Sequence, residues 1–216
     1  SLKSVGYISH WTSMYDVSFL ADLLLHDVKV RFSEKELSFN NISYARGSLI
    51  ITRSDNKNSL YFDELITNIA NQHQRQLVVV NSSFSDNGTD FGSPDVKLIP
   101  KQRIALLKGK GVSSLSYGSL WYFFETELKY PVTSIDINNF SYFALDNFDV
   151  LILPETFYWD ALNEDGIQLL KNWIKKIESL DKFKQSLILK YNHHNEINGQ
   201  KITNKPPTTG FVMLTL

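Results

Sequence analysis

Arg103-Ile-Ala-Leu-Leu-Lys-Gly-Lys-Gly-Val-Ser-Ser-Leu-Ser-Tyr-Gly-Ser-Leu-Trp-Tyr-Phe-Phe-Glu125 places an apolar run, a two-glycine turn and a helix-forming stretch in succession. Two further apolar runs follow, Tyr130-Pro-Val-Thr-Ser-Ile-Asp136 and Asn147-Phe-Asp-Val-Leu-Ile-Leu-Pro-Glu155. Runs without polar alternation predict strands buried on both faces, and their alternation with helices predicts a parallel, doubly wound sheet. Ligands of such sheets sit beyond the carboxyl ends of the strands. The residues that close each run are therefore the first candidates for a site.

Working outward, Ile104 to Leu107 reads as a strand, Gly109 and Gly111 as its turn, and Tyr117, Leu120, Trp121, Phe124 and Leu128 as a helical face. Pro131 opens a second strand, Val132 to Ile137, at a position where a missing backbone donor is tolerated. Phe148 to Leu153 is the third. Asn163 caps the next helix, with Glu164 and Asp165 in the first turn, where the dipole favours acid, and Ile167, Leu170, Ile174 and Ile177 on its apolar face. Ser186 to Leu189 and Phe211 to Leu216 read as later strands.

Toward the amino terminus the pattern gives Gly6 to Ser9 as a strand, then a helix capped by Asp16 with Phe19, Leu20, Leu23 and Leu24 on one face. Val28 to Phe32 alternates, as a strand with one solvated face does. After a polar stretch come a strand from Arg46 to Ile51, a helix capped by Ser59 with Phe62, Leu65, Ile66 and Ile69 inward, and a buried strand from Gln76 to Asn81. This is a β-α-β-β-α-β unit. Asn81 to Pro94, rich in Ser, Asn, Asp and Gly, reads as a linker or loop. The division expected is a small α/β connector domain over 1–98 and a larger α/β domain over 99–216.

Bulk composition narrows the function classes. The chain has 216 residues, 43% hydrophobic, with net charge −1. Residues 1–99 carry 9 basic and 11 acidic side chains and residues 100–216 carry 13 and 12. Neither half has the charge of a nucleic-acid or anionic-membrane surface. There is no cysteine, so disulfides, thiolate metal sites and a cysteine nucleophile are excluded. No stretch reaches the roughly 18 to 20 apolar residues of a membrane helix. The opening Ser1-Leu-Lys-Ser-Val-Gly-Tyr7 lacks the apolar core of a signal peptide and begins close to a strand, as an excised fragment would.

The segments Arg103-Ile-Ala-Leu-Leu107, Gly111-Val-Ser-Ser-Leu-Ser-Tyr-Gly118, Trp121-Tyr-Phe-Phe-Glu125, Tyr130-Pro-Val-Thr133 and Phe148-Asp-Val-Leu-Ile-Leu-Pro154 resemble a known arrangement. It is the C-terminal region of Bacteroidetes-type zinc carboxypeptidase-like proteins, where a class I glutamine amidotransferase-like domain follows the metallopeptidase domain. Thr89-Asp-Phe-Gly-Ser93 and Tyr44-Ala-Arg-Gly-Ser-Leu-Ile-Ile51 resemble the connector of those proteins. The resemblance covers about residues 1–175 and implies a flavodoxin-like parallel sheet. It also implies a secreted or periplasmic parent that removes C-terminal residues from peptides by proteolysis, with zinc held in an upstream peptidase domain of the same polypeptide. The amidotransferase cysteine has no counterpart here. After Trp173-Ile174 the family pattern continues into a Gly-Gly turn, whereas this chain runs Lys175-Lys-Ile-Glu-Ser-Leu-Asp-Lys182.

Candidate chemistry is sparse. His193-His-Asn-Glu196 contains a His-x-x-Glu pair, two of the ligands a zinc ion takes, but no third histidine follows and the flanks read as a polar loop. Gly109-Lys-Gly111 has the strand–helix context of a phosphate cradle, but Ser114 stands where a third glycine belongs; Asp136 lies near the place of a ribose-binding acid. Ser113, Ser114 and Ser116 lack the G-x-S-x-G elbow of a serine nucleophile and read as capping hydroxyls. Glu155, Tyr158 and Trp159 follow the third strand and can line a pocket with Ser113 and Ser114, or pack as aromatic anchors. His10-Trp11 has the same two readings, and His26 and His73 are single helical histidines.

The sequence thus predicts an α/β chain without a catalytic set or cofactor of its own: a non-catalytic accessory module of a zinc metallocarboxypeptidase-like protein. Its ligand-contacting candidates are Gly109, Gly111, Ser113, Ser114, Glu155 and Tyr158. The rival expectation is a small-ligand-binding or hydrolase/amidotransferase-like domain acting at that same edge.

Overall fold

The computed structural model describes residues 4–155, 162–180, 190–191 and 211–215. The chain divides into two compact units, residues 1–101 with 128–130 and residues 102–127 with 131–216.

In the first unit the order is β1 (Gly6–Ser9), α1 (Met14–Leu25), β2 (Val30–Ser33), β3 (Leu37–Phe39), β4 (Ile42–Tyr44), β5 (Leu49–Thr52), α2 (Phe62–Gln72), β6 (Val78–Val80), β7 (Asn87–Gly88) and β8 (Val96–Ile99). Five strands form an antiparallel sheet in the order β6-β1-β5-β2-β8. Successive side chains of a strand point to opposite faces, and the register pairs Tyr7 with Ile51 and Ile8 with Ile50. Tyr7, Leu49 and Ile51 accordingly pack under Phe19 and Leu23 of α1 and Phe62, Ile66 and Ile69 of α2. Ile8 and Ile50 face the other way, onto Leu37, Phe39 and Tyr44 of a second, three-stranded sheet ordered β4-β3-β7. Helices cover one face of the central sheet and a small sheet covers the other.

The second unit holds β9 (Ile104–Lys108), α3 (Ser114–Tyr122), a π-helical continuation Phe123–Leu128, β10 (Val132–Asp136), β11 (Val150–Pro154), α4 (Glu164–Leu180), β12 (Lys190–Tyr191) and β13 (Phe211–Thr215). Its sheet runs β10-β9-β11-β13-β12. β9, β10 and β11 are parallel, β13 lies antiparallel to β11, and β12 antiparallel to β13. Ala105, Leu107, Ile135, Leu151 and Leu153 pack against Phe140, Leu145 and Trp173 on one face. Leu106, Val150 and Ile152 face the opposite side, under Tyr117, Leu120 and Phe124.

The flavodoxin-like, amidotransferase-like parallel sheet expected from the sequence does not form. Only three of the five strands in the second sheet are parallel, and the first unit is antiparallel throughout. Burial on both faces made an apolar run look parallel, yet burial says nothing of strand direction. In β1 and β5 every residue is buried, because a second sheet rather than a second helical layer lies on the far side. The β-α-β-β-α-β reading also omits strands. The polar stretch after Phe32 contains the β3–β4 hairpin, turned by Asn40 (φ 54°) and Asn41 (φ 61°), the two positive-φ residues of a tight type I′ turn. Of the two readings of the Asn81–Pro94 stretch, the loop holds and the linker does not: it contributes the two-residue β7 and the buried Thr89 and Phe91 to the unit. Ser13, not Asp16, occupies the N-cap position of α1. The expected strand at Ser186–Leu189 lies outside the described residues.

Candidate functional site

The carboxyl edge of β9 and β11 gathers most of the residues that the sequence singles out. Past Lys108 the chain must reverse into α3. Gly109 (φ 116°) and Gly111 (φ 92°) make that turn in backbone conformations that L side chains rarely adopt. A Cβ on Gly109 would sit 2.9 Å from Asp136 Oδ1, so the turn is pressed against the end of β10.

From there the hydroxyls are taken up by the backbone. Ser113 Oγ accepts the amide of Ser116 at 3.2 Å, satisfying one of the free donors that begin a helix. The Ser113 amide donates to the carbonyl of Glu155 at 2.9 Å. Ser116 Oγ accepts the Glu155 amide at 3.2 Å, and Ser116 is 5% exposed. The start of α3 is thereby fastened to the end of β11 by two bonds through residue 155. Asp136 Oδ1 accepts both the amide and the side-chain nitrogen of Asn138 at 2.9 Å each, and Tyr117 Oη meets Ser134 Oγ at 2.7 Å.

The structure therefore brings Gly109, Gly111, Ser113, Ser114 and Glu155 together, with Ser114 exposed at the first position of α3. Tyr158 and Trp159 lie outside the described residues. What the sequence did not reveal is the Ser116–Glu155 bond, which has no local signature across 39 residues. The bonds that the hydroxyls of Ser113 and Ser116 accept are those of a helix cap and a turn. Anion binding at a helix start needs free amides, and those of Ser113 and Ser116 are already bonded. On the outer side of α3, Leu115, Trp121 and Tyr122 are exposed. Trp121 thus departs from the helical face that its spacing shares with Tyr117 and Phe124, which pack on the sheet.

In the first unit, His73 Nε2 lies 2.8 Å and His26 Nδ1 3.1 Å from the two carboxylate oxygens of Asp22. The contact ties the ends of α1 and α2 together. Among the described residues no three His, Asp or Glu side chains converge as a metal site requires; His193 and Glu196 lie outside them. A cleft of about 750 Å³ opens between the β2–β3 connection and the segment that runs from β6 to β8. No helix among the described residues is long and apolar enough to cross a membrane. In comparisons with protein-family models, curated proteins and solved structures, the chain matches none.

Proposed function

We propose that this chain is a non-catalytic accessory module of a zinc carboxypeptidase-like protein. It would be secreted or periplasmic and work beside a peptidase domain of the same polypeptide, which takes C-terminal residues from peptides. The observation that carries the non-catalytic part is the fate of the hydroxyls at the strand edge. Ser113 and Ser116 both accept backbone amides, the bonds by which hydroxyls cap a helix start and fasten a turn. The identity of the parent is supported by the resemblance of the strand and turn segments between Arg103 and Pro154.

The test is a zinc-supplemented assay on peptides with free and with amidated C-termini, run on this chain and on the longer polypeptide. The expected result is release of C-terminal residues by the longer protein alone, from free C-termini only. Zinc-dependent release by this chain, abolished by His193→Ala, would overturn the reading.

A further inference from the structure

The cleft of the first unit has a chemistry that the accessory-module reading leaves unused. Its volume of about 750 Å³ falls within the range of small-molecule sites. On one side stands Phe84, 75% exposed, an apolar ring with nothing to gain from water. Beside it Thr89 is only 7% exposed and lines the cleft, yet its hydroxyl takes part in no hydrogen bond among the described residues. Asp90 directs one carboxylate oxygen, Oδ1, to the amide and hydroxyl of Ser85 at 2.7 and 3.1 Å. That bond fixes the group and leaves Oδ2 as an acceptor. Across the opening, Lys35 pairs with Asp95 at 2.7 Å, and Glu36 bonds to the hydroxyl of Ser43. At Gly92 a Cβ would meet nothing within 4 Å, so the wall there is open.

These groups discriminate between ligand classes. A simple cation would find the Phe84 ring and Asp90, but it can only donate; it would leave the Thr89 hydroxyl proton unserved and would face the Lys35 ammonium. An anion would meet three carboxylates against one ammonium. A ligand whose adjacent groups both donate and accept satisfies Thr89, Asp90 and Lys35 together. If it also has an apolar C–H face, it covers Phe84 as aromatic rings are covered in binding sites. Those two properties describe a neutral sugar ring. We infer that the cleft bounded by Phe84, Thr89 and Asp90 is a carbohydrate-binding site for a neutral pyranose unit. This goes beyond the accessory-module reading and does not depend on it.

The test is amide chemical-shift mapping of the ¹⁵N-labelled chain titrated with maltose, cellobiose and lactose, with spermidine and glucuronate as charged comparisons. At least one neutral disaccharide is expected to shift the Phe84, Thr89 and Gly92 amides saturably. Phe84→Ala should weaken that binding about tenfold, the loss of one stacked aromatic contact, and folding is not at issue because the ring is exposed. Thr89→Val, which keeps the volume and removes the hydroxyl, should weaken it about threefold to tenfold. Absence of saturable shifts with all three sugars would overturn the proposal. So would shifts from spermidine or glucuronate alone, or sugar binding that Phe84→Ala leaves unchanged.

Discussion

Arg75, three residues beyond the end of α2, donates to Asp16 Oδ1 in the first turn of α1 at 3.0 Å, and Asp16 is 2% exposed. The other oxygen of the same carboxylate accepts the amides of Thr12 and Ser13 at 2.8 and 2.6 Å. One buried side chain thus organises the start of α1 and joins it to the end of α2. Asp16→Ala removes the acceptor of two amides and the carboxylate partner of Arg75, leaving that guanidinium, only 22% exposed, to Ser13 Oγ and the carbonyls of His73 and Gln74. The expected loss is about 3 kcal/mol of stability for the first unit, read as a lowered urea midpoint at unchanged slope. A loss too small to measure would mean that water replaces the carboxylate without penalty.

Acid should act on the same group. Burial pushes the Asp16 carboxyl upward, but the Thr12 amide, Arg75 and Ser13 together outweigh it and hold its pKa below the ordinary 3.8. Asp55 is also held below that value, by the Arg31 guanidinium against the opposing effect of burial, with the Thr52 hydroxyl adding to it. A carboxylate whose folded pKa lies below its unfolded one contributes stability in full above the unfolded value. The contribution is lost as pH falls through the folded value. The urea midpoint should therefore drop between about pH 5 and about pH 2. Asp16→Asn should lower the midpoint at neutral pH and flatten the drop. An acid limb of equal steepness in Asp16→Asn would show that other groups set it.

Tyr44 presents the opposite case. It is fully buried between the two sheets of the first unit, and its hydroxyl has no hydrogen-bond partner among the described residues. Its ring stacks on His10 at 4.7 Å. Burial alone raises the pKa of the phenol, which keeps it neutral. Because an unpaired buried hydroxyl costs more than it returns, Tyr44→Phe should raise stability by about 1 kcal/mol. The check is thermal and urea unfolding of the variant against the parent chain; destabilisation would show that the hydroxyl is satisfied.

Element positions were more legible than their arrangement. The helix faces Phe19/Leu23 and Phe62/Ile66/Ile69 could be read from their 3.6-residue spacing, since that spacing is what burial against a sheet demands. The strands around Ile8, Ile50, Leu106 and Ile152 stood out as apolar runs. Direction did not, because Phe211–Thr215 has the same composition whether it runs with β11 or against it, and only pairing decides. Short strands were lost for a different reason. Leu37–Phe39 and Ile42–Tyr44 are three residues each, too few to show a period, and the Asn40-Asn41 turn between them was the one available signal. At the strand edge, the glycines and Ser113 were visible as turn chemistry. Ser116 was visible there too, but not its bond, since the amide it accepts is 39 residues away.

The turn at the edge of β9 provides the last prediction, because structural and catalytic roles for its residues part there. Gly109→Ala places a methyl in a φ of 116° and 2.9 Å from Asp136 Oδ1. Such strain should cost about 2 kcal/mol. Ser113→Ala removes the cap of α3 and should cost about 1 kcal/mol. Ser113→Asp keeps an acceptor for the Ser116 amide and adds negative charge at a helix start, so stability should return to within a few tenths of a kcal/mol of the parent. A hydroxyl needed for its nucleophilicity could not be replaced in this way. Recovery in Ser113→Asp, measured by urea unfolding, assigns the residue to the fold; failure of aspartate to restore what alanine loses would mean that the hydroxyl itself has a further task at this edge.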